Sequence, residues 1–201
     1  MGLRRRRGPL PPLLCRWDLD KTYLRSEFAT LRQLIRTARE RGADKVEVPG
    51  VPAVMKAMRR AADAQGRDLR AYFISASPPQ IGQAVRDKLT LDGVPYDGIT
   101  FKDQLELIKR GKLKNLREHV GYKLGELLRG RLEATPGAIE LLFGDDWESD
   151  PLSYSLYADV LAGQVDGERL ARLLGRIGVD PPTIPHLIAL AERARGTGSV
   201  D

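Results

Sequence analysis

Four short apolar runs, each ending in a polar or acidic turn and separated by helical sequence, constrain this chain's fold more than any other feature. They are Pro12 to Trp17, Arg70 to Ser75, Gly98 to Phe101 and Ala138 to Phe143. Such runs, bounded by turn residues, suit buried strands. Strands alternating with helices imply an α/β fold, with a doubly wound parallel sheet and helices on both faces. In sheets of this kind, sites lie beyond the carboxyl ends of the strands, where the strand order switches. The first, second and fourth run-ends converge there if the first strand is central.

The helical segments follow from apolar spacing and turn residues. Ser26 to Arg41 carries Phe28, Leu31, Leu34, Ile35 and Ala38 at helical spacing and stops at Gly42. Pro49-Gly50-Val51-Pro52 opens a helix to about Ala64, with Val54, Met55 and Met58 as core contacts. Another follows the second strand to Leu91. The third strand is followed by a helix from Asp103 to Arg110, the basic turn Gly111-Lys112 and a long helix carrying Lys123. Residues 152 to 162 read as a helix. Asp166 to Arg195 reads as two short helices around Pro181-Pro182, packed on the sheet edge. The expected organisation is a basic flexible lead-in over residues 1–11, a single domain over 12–195 and a frayed tail over 196–201. The segment between the first two motifs is too short for a large cap domain but could form a helical shield from residues 23 to 48, so the cap is small or absent.

Composition removes several classes of function. Hydrophobic content of 42% and charged content of 30% are those of a globular chain. The single cysteine, Cys15, lies in the first apolar run, where a buried inert thiol is expected, and no disulfide framework can form. Two histidines, His119 and His186, exclude a histidine metal cluster and a Ser-His-Asp set. No Gly-rich loop of the Gly-x4-Gly-Lys-Ser/Thr type is present. No run approaches the roughly 20 apolar residues of a membrane span. Arg4 to Arg7, followed by Gly8-Pro9-Leu10-Pro11-Pro12, is too short and proline-broken for a secretion signal. A cytoplasmic protein is expected, peripheral at most on an anionic membrane. The net charge of +6 would draw in phosphorylated substrates or an anionic surface, although arginine-rich solvated helix faces explain it equally well. Nucleic acid is not an expected partner, since aromatics are only 6% and none interleaves with the basic runs.

The residues with chemistry to offer sit at the strand ends. Asp18 and Asp20 follow the first run two positions apart, so on a continuing strand both carboxylates point the same way. Such a pair can hold a hard cation and act on a phosphoryl group. Ser75 ends the second run, where a hydroxyl and nearby backbone N–H groups can hold a phosphate oxygen; Ser77, before Pro78-Pro79, reads as an ordinary helix cap. Lys123 lies on a helix, where a lysine is ordinarily solvated. Gly144-Asp145-Asp146-Trp147-Glu148-Ser149-Asp150 holds four carboxylates that repel one another unless a cation or lysine offsets them; a solvated acidic turn is the plain alternative.

In order, Asp-x-Asp-x-Thr, strand-Ser, Lys and strand-Gly-Asp-Asp resemble the four motifs of the haloacid dehalogenase (HAD) superfamily of phosphohydrolases over residues 12 to 163. The finer likeness is to the catalytic domain of the actin-patch-associated phosphatidate phosphatase family. Ser75-Ala76-Ser77-Pro78 and Gly144-Asp145 with Asp150-Pro151 are similar to that family's second and fourth motifs. Pro79 stands where an aromatic is common, and Gly-Asp-Asp-Trp where Gly-Asp-Ser-Gly is common.

The resemblance implies roles. Asp18 would be the nucleophile that forms an aspartyl-phosphate, and Asp20 the general acid and then base. Ser75 and Lys123 would bind phosphate oxygens. Thr22, placed with them on the phosphate side, would tie down the turn after the first strand. Mg²⁺ would be held by Asp18, the carbonyl of Asp20 and Asp145, supported by Asp150 or Asp146. The register that makes Asp20-Lys21-Thr22 a cation-pump phosphorylation motif fails, because Tyr23-Leu24 follows where Gly-Thr is needed. The expected activity is Mg²⁺-dependent phosphomonoester hydrolysis, with phosphatidate or a related phospholipid as first substrate. The alternatives are a phosphatase for soluble or macromolecular phosphoesters, and a non-catalytic module that binds anionic partners.

Overall fold

A computed structural model describes residues 10–25, 45–102, 116–146 and 149–201. Five strands, β1 (Leu13–Asp18), β2 (Leu69–Ser75), β3 (Gly98–Phe101), β4 (Ile139–Phe143) and β5 (Ser199–Val200), form one sheet in the order β3-β2-β1-β4-β5. Every pairing is parallel. β1 is central, as the sequence requires if the polar run-ends are to meet. Its register pairs Asp18 with Ile74 and Trp17 with Phe143, so Asp18, Ser75 and Gly144 finish at one rim of the sheet.

Strand alternation divides the core in two. Cys15 and Trp17 of β1, with Leu69, Ala71 and Phe73 of β2, face Met55 and Ala62 of α1 (Val51–Ala64) and Val85 and Leu89 of α2 (Gly82–Leu91). Trp17 stacks on Phe143 of the neighbouring strand, with ring centroids 3.8 Å apart. Burial pushes the Cys15 thiol up to about 11, against the pull of Arg59 and Arg67, which leaves it protonated and inert near neutral pH. The other core gathers Leu124, Leu127 and Leu128 of α3 (Leu116–Glu133) with Leu156, Tyr157 and Val160 of α4 (Asp150–Leu161). It also takes Leu170 and Leu174 of α5 (Gly167–Ile177) and Leu187, Leu190 and Ala191 of α6 (Ile184–Ala194). Among the described residues, no helix is long and apolar enough to cross a membrane.

Two expectations about the tail are corrected. The helix at 184–194 packs on α3 and α4, and the helix at 167–177 packs on it in turn, because their leucines join one apolar cluster with those of α3 and α4. The sheet edge is taken instead by the residues expected to fray. Ser199 and Val200 pair with Ile139 and Glu140, and the Asp201 N–H donates to the Glu140 carbonyl at 3.0 Å. The outer edge of β4 carries unpaired backbone groups, and the tail satisfies them. The helix at Ser26 to Arg41, the one at Asp103 to Arg110, the turn Gly111-Lys112 and most of the shield expected over 23–48 lie outside the described residues. So does the lead-in, except for Leu10 and Pro11.

Not every basic residue lies on a solvated face. Arg16, in the middle of the first apolar run, is buried and donates to Glu140 of β4 at 2.7 Å. Arg131 of α3 donates to the other Glu140 oxygen at 2.9 Å, and to the Ala138 and Thr135 carbonyls. This network fastens α3 to the two central strands. Breaking a buried ion pair by removing one partner leaves an uncompensated charge, so Glu140→Gln should cost about 3–5 kcal/mol in urea unfolding. Arg172→Ala, which removes an exposed pair with Glu168 in α5, should cost about 0.5 kcal/mol or less. Equal losses would mean that the buried network contributes no more than surface charge.

Candidate active site

Beyond Asp18 the chain leaves the sheet in a tight turn. The Leu24 N–H donates to Leu19 O at 2.8 Å, Tyr23 N–H to Leu19 O at 3.1 Å and Lys21 N–H to Leu24 O at 2.7 Å. Lys21 pays for this curl with a left-handed φ of 65°, uncommon for a residue with a Cβ. The turn swings the Asp20 carboxylate across to the end of β2. There its Oδ2 accepts from the hydroxyls of Ser75 at 2.8 Å and Ser77 at 2.9 Å. The Ser77 N–H in turn donates to Ser75 Oγ at 3.0 Å. Thr22 does not tie down the turn as expected: backbone bonds do, and its buried hydroxyl has no hydrogen-bond partner among the described residues.

Asp18 is 1% exposed, and Lys123 of α3 donates to its Oδ1 at 2.6 Å. Its Oδ2 is buried with no hydrogen-bond partner among the described residues. Lys123 also donates to Asp150, the first residue of α4. The lysine is therefore a buried tie between two carboxylates. Burial alone would lower the pKa of its ammonium, but Asp18 and Asp150 outweigh that effect and hold it above the ordinary lysine value. Burial raises Asp18 well above the carboxylate range. Lys123 pulls it back, and Asp150 and Asp20 push it further up. Asp150 is raised by burial too, opposed by Lys123 and reinforced by Asp145.

The fourth strand end completes the cluster. Single carboxylate oxygens of Asp18, Asp145 and Asp150 all lie within 4.8 Å of one another, a set of hard oxygen donors suited to a divalent cation. Asp146 is exposed and outside this set, and Asp150 is in it. Glu148 lies outside the described residues. Gly144 makes the close approach possible. A Cβ there would sit 2.7 Å from Asp150 Cβ and 2.7 Å from the Tyr154 ring, closer than real atoms come. The Tyr154 hydroxyl donates to the Phe143 carbonyl at 3.1 Å and lies 3.5 Å from Asp150 Oδ2, pinning the start of α4 to the end of β4.

The structure thus brings Asp18, Asp20, Ser75, Lys123, Asp145 and Asp150 to one rim. The sequence reading missed Ser77, taken for a cap. A 3₁₀ turn at Pro79–Ile81 precedes α2, so the serine sits too early to cap it and turns to Asp20 instead. It also missed Tyr122 and Lys102. The Tyr122 hydroxyl and the Lys102 N–H both donate to the Ser75 carbonyl at 3.1 Å, and the Lys102 ammonium lies 5.4 Å from the Tyr122 ring centroid. Tyr154, four residues after Asp150 on the same helix face, was the one with a readable signal.

The family described as phosphatidate phosphatase APP1, catalytic domain, matches residues 17–167, a span that contains every residue of this rim. Neither a curated protein nor a solved structure matches the chain.

Gly144→Ala forces Asp150 or Tyr154 to move. Overpacking of this kind costs about 1–3 kcal/mol, which urea unfolding should register. An unchanged midpoint would mean that the Gly144 contact has room to spare.

Proposed function

Because the chain belongs to the phosphatidate phosphatase APP1 catalytic-domain family, we propose that it is a Mg²⁺-dependent phosphomonoester hydrolase of the HAD type. Its substrate would be phosphatidate or a related phospholipid, reached at a membrane surface, and an aspartyl-phosphate would form on Asp18. The observation that carries this reading is the division of labour between two carboxylates on one rim. Asp18 is held by a buried ammonium, with one oxygen not hydrogen-bonded among the described residues, while Asp20 is held by serine hydroxyls.

In the first step an Asp18 oxygen attacks phosphorus. The bond from phosphorus to the ester oxygen breaks, its electron pair stays on that oxygen, and the Asp20 proton neutralises it to give the alcohol. In the second step Asp20, now a carboxylate, takes a proton from water. The water oxygen attacks phosphorus, and the bond to Asp18 breaks with its electron pair returning to the carboxylate. Lys123 neutralises part of the charge around Asp18 throughout. Ser75 donates to a phosphoryl oxygen. Asp18, Asp145 and Asp150 would hold Mg²⁺, which supplies Lewis-acid charge to the phosphoryl oxygens when bound.

The charge balance favours a cation. Among the described residues, Asp18, Asp145 and Asp150 set three carboxylates around the ammonium of Lys123. A phosphate dianion would meet repulsion there without further positive charge. A cation also favours the ionised form of Asp18 that attack requires, against the burial that opposes it.

The test is phosphate release from phosphatidate in mixed vesicles and from soluble phosphomonoesters, with Mg²⁺ and with chelator. Mg²⁺-dependent release that vanishes in Asp18→Asn is expected. Asp20→Asn should slow turnover about 10²- to 10⁴-fold, the usual share of a general acid–base group. Activity retained by Asp18→Asn would overturn the nucleophile, and soluble esters outpacing vesicles would overturn the lipid. Independently of turnover, Mg²⁺ should raise the Tm of chelator-treated protein, and Asp145→Asn should reduce that rise. An equal rise in the variant would place the ion elsewhere.

A further inference from the structure

Two serines donate to one oxygen of Asp20, and the proposed mechanism occupies only one of them. Ser75 ends β2, and its hydroxyl lies 2.8 Å from Asp20 Oδ2; Ser77 follows two residues later, with its hydroxyl 2.9 Å from the same oxygen. Each hydroxyl has a single hydrogen to give. If Ser75 donates to a phosphoryl oxygen, it cannot at the same moment donate to Asp20. Resting on the reading of Asp20 as proton donor, we propose that Ser77 is the positioning residue that keeps Asp20 in place while substrate is bound, as Ser75 turns its hydrogen to the phosphoryl group.

The local geometry fits this hand-over. Ser75 Oγ accepts from the Ser77 N–H at 3.0 Å, so its oxygen is fixed while its hydrogen rotates. The Ser75 carbonyl is held by Tyr122 and Lys102, which fixes the backbone beneath it. Ser77 shares this anchor, since its carbonyl accepts from the same Lys102 N–H at 3.2 Å, and Pro78 follows at a φ of −74°. Both hydroxyls lie on residues almost wholly buried, where water is a poor substitute for either. An oxygen that already accepts hydrogen bonds is the poorer place for a proton. Donation by Ser77 to Oδ2 therefore disfavours a proton on that oxygen and holds the carboxyl group in one orientation. The Asp20 proton passes to the leaving oxygen as that oxygen takes the electron pair of the broken bond to phosphorus.

The dependence on the leaving group distinguishes this role from a structural one. A poor leaving group, such as the alkoxide of an alkyl phosphate, needs the proton; the nitrophenolate of p-nitrophenyl phosphate needs it far less. Single-turnover rates of leaving-group release are measured for both esters in the wild type, Ser77→Ala, Ser77→Thr and Ser75→Ala. Ser77→Ala is expected to lower the alkyl-to-aryl rate ratio about tenfold or more, the scale of a displaced reacting group. Ser77→Thr, which keeps the hydroxyl, should restore the ratio. Ser75→Ala should raise KM for both esters with a smaller change in the ratio. Because the ratio is taken within one preparation, a partly unfolded variant does not distort it. Equal loss on both esters in Ser77→Ala, or a larger ratio change in Ser75→Ala, would overturn the assignment of Ser77 alone. A wild type that hydrolyses neither ester, nor phosphatidate in mixed vesicles, would overturn the proposed function and this inference with it.

Discussion

The acidic cluster at the rim depends on one buried ammonium. Lys123 joins Asp18, at the end of the central strand, to Asp150, at the start of α4, across long sequence separations. Removing any one of the three would leave charge in a place almost closed to water, and the desolvation cost of such charge exceeds that of most single contacts. The ammonium thus does structural and electrostatic work with the same hydrogen bonds. It docks α3 and α4 against the sheet, and it sets the field in which Asp18 ionises. A lysine that held only one carboxylate would leave the other to titrate or to repel its neighbours.

The second buried network, Arg16–Glu140–Arg131, lies on the same face of the sheet, further back along β1 and β4. Alternation places Arg16 and Asp18 on one side of β1 and Cys15 and Trp17 on the other. The α3 side of the central strand is therefore ionic along much of its length, and the opposite side is packed with apolar rings. Two ion networks anchoring one helix fix its rotation as well as its distance, because each has directional hydrogen bonds. That matters for Lys123, whose ammonium must reach two oxygens at once. Gly130 shows how close the approach is: a Cβ there would lie 2.9 Å from Arg16 Cζ.

How far the sequence could be read depended on whether the signal was local. The helix Val51–Ala64 and the strand Gly98–Phe101 are bounded by glycine and proline turns, and both stand where those turns predict. Asp18, Ser75 and Lys123 were legible because motif order carried information that no single residue did. Ser77 was misread because a serine before proline has an ordinary local explanation, and only the fold brings Asp20 within its reach. The tail was misread for a similar reason. Nothing in Gly198-Ser199-Val200 announces a strand, since what makes it one is an open edge on β4, more than fifty residues earlier in the chain. Arg16 lies inside an apolar run, and its partner Glu140 stands 124 residues further on, where no local pattern could have indicated it.

The chain's charge and the site's charge have opposite signs, and the two act at different ranges. A net charge of +6 attracts anions from a distance, but it is spread over the surface and screened within roughly 10 Å at ordinary salt. At the rim, an arriving phosphate meets the carboxylates of Asp18, Asp145 and Asp150 among the described residues. Long-range attraction can therefore raise the local concentration of a phosphorylated substrate without stabilising it once it is bound. Only a charge at contact distance can do that, and Lys123 is already shared between two carboxylates. The acidic rim thus fits the proposed function, in which a divalent cation enters with the anionic substrate or before it. Burial at Asp18 adds weight to that proposal, because the carboxylate that would attack is also the one that the protein interior tends to keep protonated.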